Sequence, residues 1–282
     1  HLSYTYNPGL PDATEAIHDL NFEVEEGSFT GIIGPTGCGK STLITHFNGL
    51  MKPTGGHIYI AGEDPWAKPK EIRRFRFLTG LVFQYPEYQL FEETVAKDIA
   101  FGPKNMGLSK EEIDERVRYA AEFCGLDAEI LERSPFELSG GQKRRAAIAG
   151  VLAMQPRLLV LDEPAAGLDP EGRDTILNQI KQFHRSTGTS VVLVSHSMED
   201  VARYADNVLV MKDGGIAMYD KTAVVFGRAS ELLEMGLSVP QITKIFLQLR
   251  EMGIDIDTDI YTVKYAAETI IKYAQRGGGH AS

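Results

Sequence analysis

Cysteine and long apolar runs are both scarce in this sequence. The 282 residues include only Cys38 and Cys124, whose separation matches neither a metal-ligand spacing nor a disulfide framework. We therefore expect a reducing compartment. No apolar run approaches the roughly 18 residues that a membrane-spanning helix needs. We expect neither a transmembrane segment nor a signal peptide.

Basic residues are outnumbered by acidic ones. The chain has 29 Lys and Arg against 39 Asp and Glu, which gives a net charge of −10. Such a chain gains little from attraction to a phosphate backbone, so nucleic-acid binding is not expected as its main role. With 43% hydrophobic and 24% charged residues, the composition is typical of a folded protein with one large domain or two modest ones.

One pattern of high specificity is present, a glycine-rich phosphate-binding loop. The run Gly34-Pro35-Thr36-Gly37-Cys38-Gly39-Lys40-Ser41-Thr42 fits G-x-x-x-x-G-K-[ST] between a predicted strand at 28–33 and a predicted helix from about residue 41. Glycines let successive backbone N–H groups wrap a phosphate, and the helix N-terminus adds positive partial charge. Lys40 is predicted to reach the β- and γ-phosphates, and the Ser41 hydroxyl to bind Mg²⁺.

The cysteine inside this loop has two interpretations. Cys38 is either a small filler or a thiol whose pKa the helix N-terminus lowers, so that alkylation would block phosphate binding. Cys124 instead lies on the apolar stripe of a predicted helix, Ser109 to Gly125, and is interpreted as a core residue. Ser109 and Glu112 are spaced as a capping box at the start of that helix.

Polar residues follow several predicted parallel strands. Asp162 and Glu163 end the aliphatic run 158–161, and buried carboxylates are costly unless they bind something. Asp162 can hold Mg²⁺, and Glu163 can take a proton from an attacking water. Gln84 follows a short strand at 81–83 and either caps it or points its amide at a metal or water. His196 ends the strand 189–195 beside the same crevice.

A second glycine-rich turn begins another helix. The run Leu138-Ser139-Gly140-Gly141-Gln142 is either an anion site at a helix N-terminus or an ordinary turn. Asp169 lies in a further turn, ahead of a helix predicted at about 171–185.

The remaining segments predict smaller elements. Strands are predicted at 2–6, 16–24 and 57–60, and a hairpin around 208–219. Tyr6 either stacks on a nucleotide base or packs against its own sheet. Beyond about residue 227 the pattern is helical, with two amphipathic stripes that either cap the core or form a subunit contact.

Taken together, these motifs resemble an ATP-binding-cassette ATPase. The resemblance implies an α/β P-loop NTPase fold with a RecA-like parallel-sheet core, an antiparallel β-subdomain and an α-helical subdomain. It also implies that Tyr6 stacks on adenine, that Gln84 senses Mg²⁺ and the attacking water, and that His196 contacts the γ-phosphate. The cofactors would be ATP and Mg²⁺, and two cassettes would face each other head to tail, each completing the other's site.

A narrower resemblance lies in the segment after Gln84. The runs Val82 to Val95 and Asp98 to Pro103 look like those of energy-coupling-factor importers of vitamins and transition-metal ions, and Tyr85 to Phe91 resembles the second of their two ATPase paralogues. The implied partners are a second ATPase subunit, with a heterodimer favoured, an energy-coupling transmembrane subunit and a membrane substrate-binding subunit. The implied location is peripheral, on the cytoplasmic face of the cell membrane.

Three alternatives carry less weight. The segment 84–103 and the C-terminal helices argue against a conventional ABC importer or exporter. A DNA-repair cassette would insert a long coiled coil, but only 122 residues separate Lys40 from Asp162, without a heptad run. A non-hydrolysing regulatory subunit would not need both Glu163 and His196.

The resemblance also predicts domain boundaries and a set of site residues. We expect a cassette at 1–227, with its helical subdomain at about 85–155, a C-terminal helical domain at 228–276 and a tail at 277–282. Expected catalytic residues are Glu163, His196, Gln84 and Lys40, and expected metal ligands are Ser41, Gln84 and Asp162. Expected nucleotide contacts are Tyr6, Gly34, Pro35, Thr36, Gly37, Cys38, Gly39, Lys40, Ser41, Thr42, Ser139, Gly140, Gly141, Gln142 and Asp169.

Overall fold

The computed structural model of the chain describes residues 1–277, so the predicted tail lies outside the described residues from 278 onward. The strands are β1 Leu2–Tyr6, β2 Thr14–Leu20, β3 Phe29–Ile33, β4 Thr79–Val82, β5 Leu158–Asp162, β6 Ser190–Val194, β7 Asn207–Lys212 and β8 Gly215–Lys221. The α-helices are α1 Lys40–Phe47, α2 Ile72–Leu78, α3 Val95–Met106, α4 Lys110–Phe123, α5 Ala128–Glu132, α6 Gly140–Leu152, α7 Pro170–Thr187, α8 Met198–Tyr204, α9 Thr222–Gly227, α10 Ala229–Glu234, α11 Gln241–Glu251 and α12 Val263–Gly277. Short 3-10 helices occupy Pro69–Glu71, Pro86–Gln89 and Pro135–Glu137.

The main sheet has the strand order β4-β5-β6-β3-β7-β8. The first five strands in that order are parallel, and β8 pairs antiparallel with β7 as the predicted hairpin. This arrangement confirms the predicted α/β fold with a parallel core. Because parallel strands share one carboxyl edge, the residues that follow β3, β4, β5 and β6 emerge at the same side of the sheet.

Side-chain alternation along the central strands fills both faces of this sheet. Leu159 and Leu161 of β5 join the core beneath α3, α4, α6 and α7. Val160, between them, joins the opposite core with Leu43 of α1 and Ile17 of β2. Since successive strand side chains point to opposite faces, a continuous aliphatic run is what a strand covered on both sides requires.

The predicted strand at 57–60 is wrong. The antiparallel β-subdomain consists of the pair β1–β2 and an isolated bridge from Ser3 to Gly55. Ile60 exchanges both backbone hydrogen bonds with Glu63, at 2.9 and 3.1 Å, and so closes a local turn. Ala61 within that turn has a φ of 51°. The alternating apolar pattern is present at 57–60, but the Ile60 backbone groups form hydrogen bonds within the turn and not with a neighbouring strand. The second strand, predicted to reach residue 24, ends at Leu20.

Two predictions about α4 are confirmed. Ser109 Oγ accepts a hydrogen bond from the Glu112 backbone N–H at 3.3 Å, and Glu112 Oε2 accepts one from the Ser109 N–H at 2.9 Å. These reciprocal bonds form the capping box. Cys124 is buried in the core, and burial raises its thiol pKa to about 12.

The C-terminal helices have a small core of their own. Phe246 of α11 packs with Ile256, Ile260 and Ala266. The remaining apolar stripe of α12 is uncovered, because Ile270 and Ile271 are 49% and 57% exposed. That stripe therefore does not cap the cassette core.

Candidate functional site

The phosphate-binding loop connects β3 to α1 and is shaped by glycines. Gly39 caps α1 with a φ of 98°, and a Cβ there would lie 2.6 Å from the Ala16 carbonyl oxygen. A Cβ on Gly34 would lie 2.5 Å from the Met211 carbonyl oxygen. Gly37 also has a positive φ, of 81°, but its Cβ would meet no atom within 4 Å. The loop is thus tightly packed at its two ends and open at its tip, where a phosphate would approach.

Lys40 is buried and folded back over this loop. Its Nζ donates to the carbonyl oxygens of Gly34 at 2.7 Å and Pro35 at 2.9 Å. These contacts satisfy the ammonium locally and hold it inside the loop, within reach of whatever anion the backbone N–H groups bind.

Ser41 and Asp162 meet at the ends of α1 and β5. Ser41 Oγ donates to Asp162 Oδ2 at 3.4 Å. Burial raises the pKa of Asp162, although the Ser41 hydrogen bond and the charges of Lys40 and His196 act in the opposite direction. A hydroxyl and a carboxylate side by side make an oxygen-donor pair of the kind that Mg²⁺ prefers.

Glu163 follows β5 in a sharp turn and lies beside His196, which follows β6. Its φ is 50°, in the left-handed region that costs a non-glycine residue energy. Hydrogen bonds at 3.0 Å hold that backbone: Glu163 N donates to the Val194 carbonyl, and Ala166 N donates to the Glu163 carbonyl. Glu163 Oε1 lies 3.7 Å from His196 Nε2.

The Glu163 carboxyl is in a poorly solvated environment. Oε1 is buried and, among residues 1–277, has no hydrogen-bond partner. Burial, helped by the charge of nearby Asp162, raises the pKa of this carboxyl to about 7, although a hydrogen bond from the His196 backbone acts in the opposite direction. His196 is more exposed, and its pKa is lowered by partial burial and by the charge of Lys40. A carboxyl with this pKa is poised to exchange a proton near neutral pH.

The second glycine-rich turn, residues 138–142, is called the signature turn below. It is separate from the groups described so far. Ser139 caps α6, and its capping box with Gln142 uses bonds of 3.0 and 3.3 Å. Ser139 and Gly140 are exposed, and a Cβ on Gly140 would meet no atom within 4 Å. Within the described residues, no hydrogen bond joins this turn to the phosphate-binding loop.

The other expected site residues lie around the same edge of the sheet. Gln84 is exposed, two residues beyond the end of β4. Asp169 caps α7, where its Oδ1 accepts from Gly172 N at 2.7 Å. The Tyr6 hydroxyl lies 3.0 Å from Thr42 Oγ1, and its ring is partly exposed and packs edge-on against Tyr4.

The interpretation of Cys38 as a thiol with a lowered pKa is wrong. The side chain is buried, and burial raises its pKa even though Lys40 acts in the opposite direction. Cys38 fills space against Gly34 beneath the loop.

Comparison with known proteins identifies the family. Residues 17–166 match the family described as ABC transporter. An energy-coupling factor transporter ATP-binding protein, EcfA2 of Caldanaerobacter subterraneus subsp. tengcongensis, is 54% identical over 97% of this chain and 96% of its own length. The protein of the same name from Clostridioides difficile is 50% identical over 99% of this chain and 97% of its own. This chain belongs to the energy-coupling factor ATP-binding proteins of the ABC transporter family.

Solved structures agree with this assignment. The ATPase cbiO1 of Clostridium perfringens, part of the ABC transporter complex cbiONQ, has a TM-score of 0.74 at 37% identity and covers 89% of this chain and 94% of its own. A dimeric bacterial ABC transporter cassette, MJ0796, has a TM-score of 0.70 at 30% identity and covers 78% of this chain and 96% of its own. The chain is therefore an ATP-hydrolysing transporter subunit of the energy-coupling factor type, and a conventional importer or exporter is disfavoured.

Two kinds of feature are not found in the described part of this ATPase, namely a membrane-spanning helix and a cluster of metal-binding side chains. No helix within residues 1–277 is long and apolar enough to cross a bilayer. The same residues contain no group of three or more His, Cys, Asp or Glu side chains able to hold a metal ion.

Sequence reasoning missed two ion pairs near the site of this ATPase, one buried and one half-buried. Arg144 of α6 makes a two-point contact with Glu87, with Nη2 to Oε1 at 2.8 Å and Nε to Oε2 at 3.1 Å. Arg173 of α7 pairs with Asp200 of α8, at 2.7 Å. Each pair joins residues far apart in the chain. The only sequence signal for the first was an arginine two positions after Gln142.

Proposed function

We propose that this chain is the second ATPase paralogue of an energy-coupling factor importer and that it hydrolyses ATP at the interface with another cassette. The observation that carries the proposal is the pairing of Glu163 with His196 at the sheet edge, while the signature turn on α6 lies exposed and apart. Half of a site is assembled within the chain. The exposed turn is then available to complete the site of a partner cassette.

ATP binding falls to the phosphate-binding loop and its neighbours. The open tip at Gly37 and the N-terminus of α1 supply donors for phosphate oxygens. Lys40, now bonded to loop carbonyls, exchanges these for the β- and γ-phosphates. The partly exposed Tyr6 ring stacks on adenine, with its hydroxyl held by Thr42.

Ser41, Asp162 and Gln84 are the residues that would hold Mg²⁺. The 3.4 Å approach of the Ser41 hydroxyl to the Asp162 carboxylate supports this assignment, as does the hard oxygen chemistry of all three side chains. When bound, Mg²⁺ supplies positive charge that offsets the charge developing on the phosphoryl oxygens. Asp162 remains ionised more readily once that charge is present.

Hydrolysis is assigned to Glu163 and His196. The Glu163 carboxylate accepts a proton from a water whose oxygen attacks the γ-phosphorus, and the bond to the β–γ bridging oxygen breaks. The carboxyl pKa of about 7 suits a base working near neutral pH. His196 steadies the transferring phosphoryl group through the exposed part of its ring.

The partner cassette would supply the signature turn. The helix N-terminus at Ser139 and Gly140 can neutralise γ-phosphate charge once the other chain docks, and Asp169 would lie at the same junction. A solved structure of MJ0796, described as a dimeric post-hydrolysis state bound to ADP and Pi, supports this arrangement at 28% identity and a TM-score of 0.70. The uncovered stripe of α12, with Ile270 and Ile271, is suited to a second contact between subunits.

A membrane partner is proposed to dock on the segment after Gln84. This surface combines acidic Glu92 and Glu93 with exposed aromatic rings, and Tyr88 is 85% exposed and Phe91 57%. The acidic side chains would receive basic coupling helices of the membrane partner, although Glu93 already pairs with Lys97 in this chain, and the aromatic rings would add apolar contact area. The chain would thus sit on the cytoplasmic face of the membrane, against the energy-coupling transmembrane subunit, which in turn carries the substrate-binding subunit.

Co-purification from native membranes tests this function. Tagged chain should bring down a second ATPase and a polytopic membrane subunit, both identified by mass spectrometry. Glu92→Lys with Glu93→Lys should lose the membrane subunit and keep the second ATPase, whereas the exposed control Glu115→Lys should keep both. Unchanged recovery of the membrane subunit by the double variant would count against docking at this surface.

A further inference from the structure

Arg144 contacts two segments that are distant in sequence from its own helix. It stands on α6, five residues after the Ser139 cap, and it is 3% exposed. Its Nε and Nη2 hold the Glu87 carboxylate in the 3-10 helix Pro86–Gln89. Its Nη1 donates to the carbonyl oxygens of Pro164 and Ala166, in the turn that leaves Glu163. One guanidinium thus joins three parts of the chain. These are α6, which is called the signature helix below, the segment after Gln84 and the turn that follows Glu163.

We propose that Arg144 is a positioning residue that transmits movement of the segment Pro86–Gln89 to the turn carrying Glu163 and to the signature helix. Its five N–H donors lie in a rigid plane, so the direction of the Glu87 carboxylate fixes the direction of Nη1. A lysine could keep the charge but could not hold both groups at once.

The ion pair between Arg144 and Glu87 tolerates little displacement of either side chain. A buried guanidinium is costly unless its charge is matched, and Glu87 provides the match from a side chain that is itself only 16% exposed. The Tyr85 ring covers the guanidinium, with its centroid 5.9 Å from Cζ. A displacement of Glu87 cannot be absorbed by water and must be followed by Arg144.

The effect on Glu163 runs through the backbone. The Glu163 carbonyl accepts from Ala166 N at 3.0 Å, and the Ala166 carbonyl accepts from Arg144. Together these bonds restrain a turn that begins with a left-handed φ of 50°. When Arg144 is released, the turn is no longer restrained, and the Glu163 carboxylate loses its fixed orientation. The link onward to a membrane subunit rests on the proposed function, but the relay inside the chain does not.

Hydrogen exchange on the purified full chain tests the relay. Glu87→Gln keeps the size and one acceptor but removes the charge, and within residues 1–277 the Glu87 side chain makes no hydrogen bond to the turn itself. We expect the amides of Ala166 and Leu168 to exchange about 10-fold faster in this variant, while amides of β3 are unchanged. Arg144→Lys should give the same local effect. Arg157→Met, which breaks the exposed Arg157–Glu26 pair, is the control and should change neither.

Turnover provides the second readout. In the assembled ATPase, Glu87→Gln should lower kcat about 10-fold, because a small misplacement of a reacting group is costly, and should leave the Kd for ATP within twofold of wild type. If the Ala166 amide of Glu87→Gln exchanged at the wild-type rate, the proposal would be overturned. An equal increase in the exchange rate of the β3 amides would also overturn it, because that would indicate general destabilisation. Failure to find a membrane partner would leave the exchange result intact.

Discussion

Glu163 Oε1 and His196 Nε2 lie 3.7 Å apart at the ends of the neighbouring strands β5 and β6. The carboxyl oxygen is buried without a hydrogen-bond partner among residues 1–277, and its pKa is about 7. A group held in this way is costly to the fold and useful as a proton acceptor.

Glu163→Gln should abolish turnover while retaining ATP binding. The amide cannot accept a proton from water, so kcat should fall at least 100-fold, the usual contribution of a general base. The Kd for ATP should stay within about twofold, since the phosphate-binding loop is untouched. Steady-state ATPase assays and equilibrium titration measure the two effects. Glu115→Gln on the exposed face of α4 is the matched control, and near-normal turnover in Glu163→Gln would remove Glu163 from its role.

The same substitution should stabilise the fold above neutral pH. The folded pKa of Glu163 is raised from 4.5 to about 7, so the native state binds the extra proton between these values. Stability from that proton is present below about pH 4.5 and is lost as pH rises to about 7. The free energy of unfolding of Glu163→Gln should therefore exceed that of wild type by up to about 3 kcal/mol at pH 8.

Urea denaturation at pH 5 and pH 8 measures this difference. The advantage of Glu163→Gln should be small at pH 5 and near its maximum at pH 8. An advantage of equal size at both values would show that the Glu163 carboxyl is not the titrating group.

Gly39→Ala should damage the phosphate-binding loop more than Gly37→Ala. Both glycines have positive φ, so each substitution introduces backbone strain of about 1 kcal/mol or more. Only the Cβ on Gly39 also collides, at 2.6 Å with the Ala16 carbonyl oxygen and with Ile17 Cγ2. Urea unfolding should rank Gly39→Ala as the less stable variant by at least another 1 kcal/mol, and its Kd for ATP should be the weaker. The reverse order would contradict the loop geometry.

Substitutions of Tyr6 distinguish a ring that stacks on adenine from a ring that only packs within the β1–β2 sheet. Tyr6→Ala should raise the Kd for ATP about 10-fold, since stacking of a base on an aromatic ring contributes about 1–3 kcal/mol. Tyr6→Phe keeps the ring and loses only the hydroxyl contact with Thr42, so its Kd should change less than about threefold. Isothermal titration calorimetry distinguishes the variants. If Tyr6→Ala lowers the melting temperature but leaves the Kd unchanged, the ring serves the sheet alone.

Local patterns predicted the elements that carry the site. The phosphate-binding loop, the buried strand before Asp162 and the capping box at Ser109 depend on residues close together in sequence, and each lies where its pattern indicated. The parallel order then brings the strand ends to one edge of the sheet, so the neighbourhood of Glu163 and His196 follows from topology.

Longer-range features escaped prediction. Arg144 and Glu87 are 57 residues apart, and nothing local marks either one as buried. The pattern at 57–60 predicted a strand because alternation says nothing about which backbone groups a neighbouring turn will use. The amphipathic pattern of α12 indicated a buried face, but it could not tell whether this chain or another one covers Ile270 and Ile271.

We propose that two incomplete sites complete each other when two cassettes dock, and the dependence of the ATPase rate on subunit concentration tests this pairing. Specific activity of the chain, alone or mixed with its ATPase partner, should fall on dilution as the dimer dissociates. Light scattering should show that MgATP drives assembly of Glu163→Gln. Gly140→Arg, which places a bulky side chain on the exposed signature turn, should abolish both. A rate per chain that is constant on dilution and insensitive to Gly140→Arg would contradict the account.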